Sequence, residues 1–188
     1  MGGDLTYQHV GQDSFKVRLA LYVDCNSGFT DTLIGIKVSN PDSGMLFIDT
    51  VYLVDSLDVT NVCQSSCSRC GSASCSFPYG IKKRVYETIV YLGNYAHCKY
   101  IFSYSGCCYH SSITTLSASG DMYITAFLNK CSGPGNNSPE FVIEPEFIQC
   151  LGRDFTCSQG TMEQDGDSLH FKWAYPRTGH SSYLTYSG

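Results

Sequence analysis

"SFKVRLALYVDC", residues 14–25, alternates Phe15, Val17, Leu19, Leu21 and Val23 against Lys16, Arg18, Ala20 and Tyr22. An apolar period of two is the mark of a strand with one face in a core, because successive side chains leave a pleated backbone on opposite sides. The same signature recurs outward along the chain. "TLIGIKVSN" (32–40) runs into Asn40-Pro41-Asp42-Ser43-Gly44, a turn composition, and "MLFIDTVYLVDSL" (45–57) follows it. "RVYETIVYLG" (84–93), "KYIFSYSG" (99–106) and "DMYITAFLN" (121–129) are further short β-branched or aromatic runs closed by Gly or Asn. Capped stripes of helical period are lacking, residues 80–88 being the one weak candidate. Many short strands joined by polar turns predict an all-β fold, a two-sheet β-sandwich over residues 2–130.

Composition narrows the class. The chain has 188 residues, enough for one large domain or one domain and part of another. Its net charge is −5 with 15% charged residues, so it carries no basic footprint for nucleic acid. Apolar runs all fall short of the roughly 18 residues of a membrane span, and no membrane insertion is expected. "MGGDLTYQHV" lacks the apolar core of a signal peptide, and Met1 before two glycines reads as an added start on a mature end. Eleven cysteines point to an oxidising compartment and a removed export signal. The expected location is secreted or cell-surface.

At least three disulfides are expected, one of them within the Cys63–Cys75 loop "CQSSCSRCGSASC". Cys98 and Cys107 should not pair, since the strand between them separates its ends by roughly 20 Å at about 3.3 Å per residue, whereas a disulfide needs Cα atoms within about 7 Å. Cys25, at a strand end, is expected to pair with Cys107 or Cys108, and Cys150 with Cys157 across a hairpin. Cys67-x-x-Cys70 alone is a poor zinc signature, because zinc wants four thiolates at tetrahedral spacing. It is a poor redox signature too, since no helix follows to lower a thiol pKa.

Between residues 129 and 139, "NKCSGPGNNSP" reads as an interdomain linker, and "EFVIEPEFIQC" after it starts new strands with Pro145 favouring an edge. Some 50 residues remain, too few for a sandwich of roughly 100. A second unit over residues 131–188 would be truncated or would complete itself against the first.

Two patterns carry possible chemistry. His97 beside Cys98, and His110 near Cys107 and Cys108, place imidazole and thiol close in sequence, but a nucleophile pair needs spatial reach and an orienting third group. Strand-end disulfides with bystander histidines account for both. No nucleophile elbow, phosphate loop or zinc-protease motif occurs, and no enzyme is expected. The other pattern is Glu163, Asp165 and Asp167 on alternate residues around Gly166 in a chain poor in charge. Calcium takes hard oxygens from carboxylates, amides and carbonyls. A metal set of Glu163, Asp165, Asp167 and Asn136, with Asn137 as an alternative amide, is therefore a candidate weak calcium site. The spacing is not that of an EF-hand, and the competing reading is a solvated turn.

"GGDLTYQHVGQDSFKVRLALYVDCN" (2–26), "SYSGCCYHSSITTL" (103–116), "MYITAFLN" (122–129), "NNSPEF" (136–141) and "DGDSLHF" (165–171) resemble, in order, the N-terminal region of large secreted surface proteins of the Bacteroidetes. The resemblance implies an immunoglobulin-like module over residues 2–130 followed by an incomplete cadherin-like one over 131–188. It also implies type IX secretion and the gliding-motility-associated, adhesin-like family, with calcium stiffening module junctions. Two positions depart from the pattern: Val23 stands where Arg is usual, and Glu163-Gln164 where Asp-Pro is usual. The expected function is a non-catalytic extracellular module of a cell-surface adhesion protein, a spacer or ligand-presenting region whose partner is an extracellular protein or glycan. The alternatives are a carbohydrate-binding module, suggested by abundant strand Tyr, and a secreted hydrolase or thiol enzyme using His97 or His110.

Overall fold

The computed structural model describes residues 2–60, 67–72, 74–75, 78–107, 109, 113–116, 120–133, 135–147, 152, 154, 156, 158 and 160–186. The first hairpin shows how local chemistry sets register. β1 (Gly2–Gly11) and β2 (Ser14–Asp24) turn through Gly11 to Asp13, where Gly11 has φ +142° and Gln12 the left-handed φ of 41°. β3 (Leu33–Asn40) meets β4 (Gly44–Asp58) through a turn that the Asn40 side chain organises. Its Oδ1 accepts the Asp42 and Ser43 N–H groups, both at 2.9 Å, and Gly44 closes the turn at φ +84°. β5 (Ile81–Tyr91), β6 (Lys99–Gly106) and β7 (Met122–Asn129) follow. Two short strands, β8 (Glu140–Phe141) and β9 (Thr161–Met162), pair with each other. The weak helical candidate at residues 80–88 lies almost wholly in β5, where tertiary pairing overrides a faint periodicity.

All seven long strands join one antiparallel sheet in the order β1-β2-β5-β4-β3-β6-β7. The expected two separate sheets are not how the ladder connects, and β4 is the reason. Its first half, Gly44–Tyr52, pairs with β3, and its second half, Tyr52–Asp58, with β5. A bulge between Leu53 and Asp55 bends the strand just past Tyr52, where it passes from one layer to the other. The sheet curls until its outer strands face each other: Tyr7 Oη on β1 donates to the Phe127 carbonyl on β7 at 3.0 Å. The molecule is therefore all-β and nearly barrel-like.

Inside the curl lie Phe15, Val17, Leu19, Leu21 and Val23, each no more than 2% exposed, as their alternation predicts. They pack against Ile36, Val38, Val51, Tyr100, Phe102 and Leu128 of the opposite wall. Two interior tyrosines bond their hydroxyls to backbone, as burial favours. Tyr86 Oη donates to the Asp31 carbonyl at 2.7 Å and Tyr100 Oη to that of Tyr95 at 2.7 Å. Ala20 and Tyr22, on the other face of β2, are buried as well, at 2% and 9%. That second burial comes from residues after β7, which lie against the outer face of β1, β2 and β5.

Candidate functional site

The acids singled out in the sequence act within a turn that holds the chain onto β1. Around Gly166 (φ +83°) the backbone reverses, and the Glu163 carboxylate accepts the N–H of Asp165 at 3.0 Å and of Asp167 at 2.7 Å. Glu163, Asp165 and Asp167 therefore do not line one face of an extended strand, because the turn wraps its own N–H groups around the first acid. Asp165 faces residue 137: its two oxygens accept from the backbone N–H and side-chain amide of Asn137, at 2.6 and 2.7 Å. Asn137 Oδ1 accepts from His9 N on β1 at 2.7 Å. Ser138 continues the attachment, its Oγ accepting from Tyr7 N at 2.8 Å and its N–H donating to the Tyr7 carbonyl at 2.9 Å. "NNSP" is thus a clasp that occupies outward-facing backbone groups of an edge strand, which would otherwise stand open to pairing. The turn acids also act on β1: burial first, then the Asp165 and Asp167 charges, push the Tyr7 hydroxyl up to about 12.

A calcium ion at this turn would have to compete with four N–H donors for the oxygens of Glu163 and Asp165. Among the described residues no group of three or more His, Cys, Asp or Glu side chains is placed to hold a metal ion. Asn136, the first residue of the clasp, is half-buried.

Sequence reading overlooked the residues beneath the clasp. Arg18 Nη1 lies 2.6 Å from Glu140 Oε1, and Lys16 Nζ lies 2.9 Å from Glu87 on β5. Farther along, Glu144 accepts from Tyr22 Oη at 3.1 Å and pairs with Lys83, while Phe147 meets the Tyr22 ring at 5.2 Å. Two cavities open along this seam. One, of about 280 Å³, lies between Thr6, Gln8, Lys16 and Arg18 below and Asn137 and Glu140 above. The other, of about 400 Å³, lies over Asp4 and Tyr22 beneath Phe141, Ile143 and Phe147. Desolvation in this second space raises the Asp4 carboxyl from 3.8 to about 6, although Lys83 and Arg18 pull the other way. One signal for a second cover was present in the sequence: Ala20, small and apolar, stands on the face that otherwise carries Lys16 and Arg18.

The cysteines form cross-links. Cys67 pairs with Cys75 inside the expected loop, Cys98 with Cys131, and Cys25 with Cys70. Cys107 is also disulfide-bonded. The pairing of Cys25 with Cys107 or Cys108 is corrected. Cys25 N bonds the Gly80 carbonyl where β2 and β5 end side by side, and the loop from Cys67 folds back there, with Arg69 N bonded to the Tyr79 carbonyl. Cys70 then sits 5.1 Å from Cys25 between Cα atoms. The two halves of Cys-x-x-Cys thus serve different bridges and supply no thiolates to a metal. The sulfur of Cys98, next to His97 in sequence, is taken up in the bridge to Cys131, and the His97 ring packs edge-on to Tyr100 at 6.2 Å. His110, Cys63, Cys108, Cys150 and Cys157 lie outside the described residues.

Comparison with protein-family models, with curated proteins and with solved structures finds no match to this chain.

Proposed function

We propose that this chain is a non-catalytic, disulfide-stabilised extracellular module of a larger adhesin-like surface protein, where it serves as a spacer or ligand-presenting region. The observation that carries the reading is the use to which the reactive groups are put. Every described cysteine is disulfide-bonded, six of them in the three described bridges and Cys107 besides, and the acidic turn clasps backbone. Stable bridges of this kind suit an oxidising environment.

Strand order supports an immunoglobulin-like description. β1-β2-β5-β4 followed by β3-β6-β7 is the order of the A-B-E-D and C-F-G sheets of a constant-type sandwich, with β4 shared between the layers. In this reading residues 131–188 begin a cadherin-like unit that leans on the first through the clasp. Labelling intact producing cells with a membrane-impermeant lysine reagent, followed by non-reducing peptide mapping, tests the proposal. Labelled chain with Cys25–Cys70 and Cys98–Cys131 intact is expected. Unlabelled chain carrying free thiols would refute it.

A further inference from the structure

We propose that the polar cleft under the clasp binds a neutral saccharide, with one sugar ring in the cleft and the next stacked on Tyr52. This deepens the surface-module reading and rests on it, since such a ligand is met outside the cell.

Charge balance selects the ligand class. Lys16 and Arg18 line the cleft with Glu87 beside them on β5 and Glu140 above, two cations and two carboxylates already paired at 2.9 and 2.6 Å. A phosphate or sulfate would have to displace a carboxylate from its cation, and a cationic ligand would have to displace Lys16 or Arg18. A wholly apolar ligand is disfavoured because it would cover charged and amide groups without bonding them. Arg18 Nε is buried with no hydrogen-bond partner among the described residues, Glu87 Oε1 lying 3.6 Å away. Thr6, Gln8 and Gln164 complete the lining with groups that both donate and accept. A sugar hydroxyl does both as well, and a ring of them can bridge an Arg N–H to a Glu oxygen without disturbing either charge. The volume, about 280 Å³, falls just short of the ~300 Å³ at which drug-sized ligand pockets begin, which suits a single sugar ring.

The second half of the site follows from strand register. Tyr52 pairs directly with Glu87, and Glu87 with Arg18, so all three side chains lie in one row on one face. Tyr52 is 55% exposed, flanked in register by Leu33 at 57% and diagonally by Ile89 at 64%, itself paired with Lys16. An aromatic ring with aliphatic neighbours, open to water beside a polar cleft, matches the two surfaces of a pyranose: C–H bonds on its faces and hydroxyls at its edge.

The test uses the whole chain with its disulfides intact. It is applied to an array of neutral, sulfated and sialylated glycans, and the strongest neutral ligand is then titrated by calorimetry. Tyr52→Ala and Gln8→Ala alter exposed side chains, so their Tm values should match wild type. Each should weaken binding at least tenfold. Retention of no neutral glycan, preference for sulfated or sialylated ones, or affinity that survives either substitution overturns the proposal. Any of these with surface labelling intact would leave the module reading standing, whereas an unlabelled intracellular chain would remove that reading whatever the array shows.

Discussion

Replacing Asp4 by Asn should make the protein more stable at neutral pH, although it deletes a charge that Lys83 and Arg18 attract. Asp4 points from β1 into the space beneath Phe141 and Phe147, where desolvation outweighs both cations and lifts its pKa from 3.8 to about 6. The sign follows from proton counting. Between about pH 4 and pH 6 the folded state keeps a proton that the unfolded chain has lost, so stability falls as pH rises through that window and then levels off. A shift of about two units at about 1.4 kcal/mol each gives a ceiling near 3 kcal/mol, reduced to about 2–3 by the opening of the cavity to water. Asparagine mimics the protonated acid, so the variant should match wild type near pH 3.5 and exceed it by about 2–3 kcal/mol at pH 7.5. Urea unfolding followed by far-ultraviolet circular dichroism is the assay, since the one tryptophan, Trp173, is 99% exposed and a poor reporter of folding. A difference between variant and wild type that stays flat from pH 3.5 to 7.5 would refute the desolvation argument, as would a variant less stable at pH 7.5.

Asp165→Asn should loosen the clasp by roughly 1 kcal/mol, seen as about fivefold faster amide hydrogen exchange at Tyr7 and His9 with little change at Leu19. Uniform acceleration across the sheet would mean that the turn supports the whole fold instead. Removing Cys98–Cys131, which closes a 33-residue separation, should cost about 3–4 kcal/mol by loop-closure entropy, read from urea unfolding of the double Ser variant. Millimolar calcium should raise the Tm of wild type no more than that of an Asp165→Asn, Asp167→Asn variant, because N–H donors already hold the Glu163 and Asp165 oxygens. A larger rise in wild type would place a metal at the turn.

Alternation by itself determined β2. Once Phe15, Val17, Leu19, Leu21 and Val23 recur at a period of two, only one face of a strand can be buried with all of them together. The long strands after β1 and the Asn40–Gly44 turn were legible for the same reason, being set by neighbours a few residues apart. A cross-link within the Cys63–Cys75 loop was legible because few residues separate its ends. What depended on residues far apart was not. The partner of Cys25 is 45 positions away, and spacing cannot show which loop folds back to that strand end. Nor can it show that β4 bends at a bulge and serves both layers, since one hydrophobic pattern suits a strand paired with either neighbour. The acids at 163–167 were conspicuous, yet their role was decided by Asn137 and His9. A carboxylate beside glycine looks alike in sequence whether it faces a cation, water or an asparagine that itself grips the backbone of an edge strand. Tertiary structure chose the strand, because an edge with unpaired N–H groups gains more from a fixed acceptor than a solvated loop does.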